Sequence, residues 1–111
     1  MGKFVIVESP FAGDTEENVN YARAALKDCL LRGEIPFASH LLYTQVLDDK
    51  LADERLLGIS AGLEMGDRMD MTVVYDDMGI SDGMAQGIWD ARMKGRPVEY
   101  RSILPRADRR H

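Results

Sequence analysis

The side chains able to do chemistry fall in three short stretches of the chain. Ser9 and Asp14 bracket a turn that also holds Phe11 and Gly13, and His40 and Tyr43 lie three residues apart. Asp76, Asp77, Ser81 and Asp82 crowd the approach to Gly83 and Met84. Backbone amides around Ser9, Gly13, Ser81 and Gly83 can donate to an anion or a hydroxyl. Carboxylates such as Asp14, Asp76 or Asp77 can accept from hydroxyls, and Tyr43 can stack on an aromatic ring. Arg55 adds a guanidinium that forks well onto a phosphate or a carboxylate. A metal site is not expected, since no second His or Cys stands at ligand spacing from His40, and no cofactor is implied. The chain has no Gly-x-Gly-x-x-Gly, so nothing supports an ordinary dinucleotide fingerprint.

Each of these residues also has a plainer reading. Asp14 fits a helix N-cap, Asp76 and Asp77 fit turn chemistry before Gly79, and Ser81 or Asp82 fits a second cap. His40 can be a hydrogen-bonded structural residue and Tyr43 can simply pack its loop. Arg55 can be a solvated charge or the partner of Asp53 or Glu17.

The elements that must position these residues alternate along the chain. Lys3 to Glu8 is a β-branched run that ends at Ser9-Pro10, where proline removes a ladder donor. Asp14 with Glu17 gives a capping-box pattern, and Val19, Ala22, Leu26, Cys29 and Leu30 then recur at helical spacing until Arg32-Gly33. Ile35 to Ser39 reads as a second, buried strand. His40 to Asp53 lacks a clean period and reads as an extended connection with a partial turn. A helix from Asp53 to about Met69 follows, weakened in propensity by Gly58, Gly62 and Gly66, which permit close packing. Met71 to Tyr75 is a third strand, and a helix from Ser81 or Asp82 to Lys94 ends at Gly95. Pro97 to Ile103 is a fourth strand. This β-α-β-α-β-α-β order predicts an α/β fold, a three-layer sandwich with a mainly parallel four-stranded sheet. In such a sheet the ligand site lies outside the carboxyl ends of the strands, where strand order reverses. The three stretches above converge there.

Bulk properties narrow the partners. The 111 residues, 45% of them hydrophobic, suit one domain, placed at 1–104, with Arg106, Arg109, Arg110 and His111 in a frayed basic tail at 105–111. A net charge of −5 disfavours nucleic acid. No stretch approaches the roughly 18 apolar residues of a membrane span. A lone cysteine, Cys29, and an opening that runs straight into a strand predict a reducing, cytoplasmic setting. Methionines at 65, 69, 71, 78, 84 and 93 suit irregular core gaps. With Trp89 they also suit the face of a homodimer or higher oligomer.

Five segments resemble the nucleoside 2-deoxyribosyltransferase superfamily, and more closely its small, often phage-encoded members. They are Val-Glu-Ser-Pro-Phe-Ala-Gly-Asp at 7 to 14, Asn-Tyr-Ala-Arg at 20 to 23, Pro-Phe-Ala-Ser-His-Leu-Leu-Tyr at 36 to 43, Asp-Glu-Arg at 53 to 55, and Val73 to Pro97. The resemblance implies a flavodoxin-like or Rossmann-like domain with a pocket for a nucleoside- or nucleotide-like molecule, often in an oligomer. In the transferases a motif resembling Asp-Ser-Gly-Thr-Ala-x-Glu ends in the nucleophilic glutamate. Here the matching stretch is Ser81-Asp82-Gly83-Met84-Ala85-Gln86-Gly87, so Gly87 stands where that nucleophile is expected. Retaining transfer needs a carboxylate against the sugar. The expectation is therefore a binding pocket without the usual transfer chemistry. One alternative is an N-glycosidase or transferase that uses a relocated carboxylate, Asp82, Asp90 or Glu64. The other is a protein-interaction module.

Overall fold

The computed structural model describes residues 2–11 and 15–104. Gly13, Asp14 and the basic tail lie outside them. Four strands, β1 (Phe4–Glu8), β2 (Ile35–Phe37), β3 (Met71–Tyr75) and β4 (Val98–Arg101), form one sheet in the order β2-β1-β3-β4. Every pairing is parallel. Between the strands run α1 (Thr15–Leu31), α2 (Ser39–Leu42), α3 (Ala52–Gly66) and α4 (Asp82–Met93). The α/β alternation expected from the sequence is the one observed. Strand order reverses beside β1, between β1 and β3, which places the cleft of such a sheet at their carboxyl ends.

Side chains alternate across a strand, and here the alternation sorts the sheet into two unlike faces. Val5, Val7, Val73 and Tyr75 point to one face, where they pack with Tyr21, Ala25 and Cys29 of α1. Val74 points to the other, where it packs with Met84 and Ile88 of α4. Ile6 and Glu8 share that second orientation.

Helices α1 and α4 end in the same way. At α1 the Gly33 amide donates to the Leu30 carbonyl and the Glu34 amide to that of Cys29, with Gly33 at φ 83°. At α4 the Gly95 amide donates to Arg92 and the Arg96 amide to Ala91, with Gly95 at φ 73°. This paired bonding satisfies the last carbonyls through a left-handed residue that glycine adopts without strain. It turns the chain back sharply, so β2 and β4 start directly beneath their helices.

One expectation is corrected. The stretch from His40 onward is not extended. Ser39–Leu42 is a single helical turn, and Tyr43–Gln45 continues it as a 3-10 turn. Seven residues are too few to display a helical period, so their pattern reads as irregular. Of the methionines, Met71 and Met84 fill the core as expected, whereas Met78 and Met93 are exposed, as is Trp89 at 66%. Among the described residues no helix is long and apolar enough to cross a membrane.

Under α1 lies a buried polar network. The Arg101 guanidinium, only 3% exposed, forks onto Glu34 with N–O distances of 2.7 and 2.6 Å and also reaches Glu99 at 2.6 Å. Tyr75 accepts from Arg101 at 3.2 Å and donates to Asp28 at 2.7 Å. Hydrogen bonds from Arg101 to Glu34 hold that arginine's pKa above its ordinary value and hold the Glu34 carboxyl below the usual range. Removing one member of a buried pair strands the other charge. Glu34→Ala should therefore lower the unfolding free energy by about 3 kcal/mol in urea titrations. A loss under 1 kcal/mol would mean that Glu99 alone satisfies the guanidinium.

Candidate functional site

A cleft of about 600 Å³ opens at the carboxyl ends of β1 and β2 beside the start of α4. Its size is that of a small-molecule pocket. Strand β1 contributes Ile6 and Glu8 to the floor, and Ser9 and Phe11 follow them. Helix α2 and the turn after it bring His40 and Tyr43. Helix α3 roofs the cleft with Arg55, Gly58 and Gly62, and residues 81–84 of α4 close the far side.

Helix α3 reaches this position because its glycines allow backbone approach. A Cβ on Gly62 would lie 3.0 Å from Ser39 Oγ, and one on Gly66 would lie 3.0 Å from the Arg96 guanidinium. On the opposite wall Ser81 caps α4: its hydroxyl accepts from the Met84 amide at 3.3 Å, while the Met84 sulfur faces the Ser81 amide at 3.5 Å. Of the two expected caps, Ser81 is the one used. Asp82 remains exposed at the cleft rim.

Ser9 and His40 meet across the exits of β1 and β2, with Ser9 Oγ 2.7 Å from His40 Nε2. Phe11 sits edge-on to the imidazole at a centroid distance of 6.3 Å, and Tyr43 sits edge-on to Phe37 at 5.9 Å. Burial lowers the His40 pKa from the usual 6.5 to about 4, so the ring is neutral at pH 7.

The third stretch divides. Ser81, Asp82, Gly83 and Met84 line the cleft; Asp76 and Asp77 are not among its lining residues. The Asp77 carboxylate accepts from Tyr21 at 2.8 Å, from the Ile103 amide at 2.8 Å and from the Ser102 hydroxyl, tying the exit of β3 to α1 and to the chain beyond β4. Burial pushes its carboxyl up, but these donors outweigh it and leave the pKa below the ordinary value. The Asp76 amide donates to the Arg101 carbonyl and its own carbonyl accepts from Gly79, which is turn chemistry. Arg55 lies at the rim, and its guanidinium makes no hydrogen bond or ion pair among the described residues.

Asp90 and Glu64, two of the carboxylates expected as substitutes for residue 87, are not among the cleft's lining residues. Asp90 is held by Lys94 at 3.0 Å and Arg96 at 3.1 Å. Burial raises its pKa, but those two partners bring it below the usual range. Glu64 is exposed and does not line the cleft.

Glu8 is the residue that sequence reasoning missed. Its carboxyl lies against Gly87, where a Cβ would come within 2.1 Å of Oε2 and 2.4 Å of the carboxyl carbon. Burial is the main cause that raises its pKa from 4.5 to about 8; the nearby Arg96 guanidinium opposes the rise and Asp90 adds to it. Arg96 is already engaged by Asp90 and by Thr72 Oγ1 at 2.9 Å. Among the described residues the Glu8 carboxyl has no hydrogen bond or ion pair. The signal in the sequence was parity: Glu8 stands two residues after Ile6 and so faces the same side of the sheet.

The model of a family described as a domain of unknown function, DUF7768, matches residues 3–101. The chain belongs to that family. No curated protein sequence matches the DUF7768 chain. Among solved structures it is similar to the 2-deoxyribosyltransferase of the psychrotolerant bacterium Bacillus psychrosaccharolyticus, with a TM-score of 0.69 and 19% identity. That match covers 92% of this chain and 77% of the other. At that identity the likeness establishes a shared fold, in agreement with the flavodoxin-like architecture expected from the sequence.

Two measurements check the electrostatics and the close approach. The folded pKa of Glu8 is raised, so its stabilising contribution is complete below pH 4.5 and is lost as pH rises through about 8. Glu8→Gln should therefore gain stability relative to the parent across that window, by an amount on the order of a few kcal/mol. His40 acts oppositely: its pKa is depressed, so its contribution is present above pH 6.5 and lost as pH falls through about 4. His40→Asn should flatten the acid limb of the stability profile. For the close approach, Gly87→Ala should gain about 1 kcal/mol of helix propensity in a Glu8→Ala background and little or nothing in the parent, where the Glu8 carboxyl must move. Equal gains in both backgrounds would refute the contact.

Proposed function

We propose that this domain binds a nucleoside-like small molecule in the strand-end cleft. One observation carries the reading: a single hollow joins the turns after β1 and β2 to the capped start of α4, with Phe11, His40 and Tyr43 on its walls. Aromatic walls accept a heterocyclic ring, while Ser9, Ser81 and Asp82 offer partners for sugar hydroxyls. The fold shared with a 2-deoxyribosyltransferase agrees with this choice of ligand.

Charge favours the nucleoside over its polyphosphates. Arg55 is the cation at the rim without an ion-pair partner among the described residues, and Asp49, Glu54 and Asp82 line the same cleft. Arg96 is neutralised by Asp90. The cleft therefore carries an excess of negative charge, as does the whole chain at −5, and such a field opposes a highly charged phosphate chain.

Calorimetry against nucleosides, their monophosphates and their triphosphates tests the reading. Binding should be strongest for nucleosides and weakest for triphosphates, and the gap should narrow as salt is added. Tyr43→Ala should weaken nucleoside binding about tenfold, as expected for loss of a ring contact worth roughly 1 kcal/mol or more. Silence across the panel would end the proposal.

A further inference from the structure

The fit between Glu8 and Gly87 bears on what happens to a bound nucleoside. A carboxyl from β1 occupies the space that any side chain on residue 87 would need, since a Cβ there would overlap the Glu8 carboxyl carbon at 2.4 Å. A side chain on residue 87 and the Glu8 carboxyl in this position therefore exclude each other. Gly87 itself is buried on the sheet side of α4.

The other acids near the cleft have their own surroundings. Asp90 is clamped by Lys94 and Arg96, Asp49 and Asp82 are exposed to solvent, and the Glu54 carboxylate accepts from the Asp48 amide at 2.7 Å. Glu8 lines the floor and has no hydrogen-bond or ion-pair partner among the described residues.

We infer that Glu8 is the catalytic carboxyl of this cleft, a general acid delivered from strand β1 that breaks the N-glycosidic bond of the bound nucleoside by proton transfer to the departing base. The inference rests on the nucleoside reading given above. The carboxyl is protonated at neutral pH because burial raises its pKa to about 8, as a general acid requires. As the bond between the anomeric carbon and the base nitrogen breaks, its electron pair leaves with the base and the Glu8 proton moves to a base nitrogen. Water then adds to the anomeric carbon and gives a proton back to the Glu8 carboxylate. The sum is nucleoside plus water yielding free base plus free sugar, with Glu8 restored.

The test incubates the full chain with 2′-deoxyadenosine, 2′-deoxycytidine and thymidine, separates free base by chromatography, and measures affinity for the same compounds by calorimetry. Base release is expected from the parent, with a rate that falls as pH rises through about 8. Glu8→Gln should cut that rate by about 10²- to 10⁴-fold, with affinity changed less than threefold, whereas Glu64→Gln should leave the rate unchanged. Nucleosides that bind with no base released would overturn the catalytic role while the binding proposal stands; absence of binding would overturn both. A Glu8→Gln variant as fast as the parent, or a rate that climbs through pH 8, would also overturn it. The pH profile needs no substitution, so it decides the matter even if the variant folds poorly.

Discussion

The geometry of the cleft depends on how closely α4 lies against the carboxyl end of β1. That approach is possible because residue 87 has no side chain, and it is occupied because residue 8 has a long one. A bulkier residue at 87 would lift α4 or turn the Glu8 carboxyl away, and either change would alter the floor. The apolar contacts of Met84 and Ile88 with Val74 hold the helix down on either side of this point. The close approach is therefore enforced by packing, and the buried carboxyl is its electrostatic consequence.

The two faces of the sheet solve their polar problems differently. Under α1, Arg101, Glu34, Glu99, Tyr75 and Asp28 satisfy one another, and Asp77 ties three segments together through donors from Tyr21, Ser102 and Ile103. Under α4 the charges are balanced only in part. Asp90 and Arg96 neutralise each other, and Glu8 is left with burial as the dominant influence on its proton. A satisfied network stiffens a structure; an unpartnered group beside a cavity is where a ligand can act.

Much of this was legible from the residues. The β-branched runs at 4–8 and 71–75, the periodic helices at 15–31 and 82–93, and the two glycine stops carry strong local signals, and their order alone implies parallel pairing. The region after β2 was not legible, because a four-residue helix followed by a three-residue turn has no period to detect. The residues that line the cleft split along the same line. Ser9, His40 and Ser81 were recognisable because they flank element ends, which is where such sheets gather functional groups. Asp76 and Asp77 satisfy that rule in sequence but are not among the cleft's lining residues. Glu8 closes the β-branched run of the first strand and carries no local mark of a site. That it lies beneath α4 follows from a contact 79 positions away in the chain, which no local pattern encodes.

Helix α3 has a mechanical consequence of its own. It rests on α2 and α4, and along its outer side Leu56 and Leu57 face solvent. The roof of the cavity is thus a beam supported at its neighbours, while the floor is part of the hydrogen-bonded sheet. Changing the tilt of that beam would alter the width of the entrance and leave the strand register, and with it the position of Glu8, untouched.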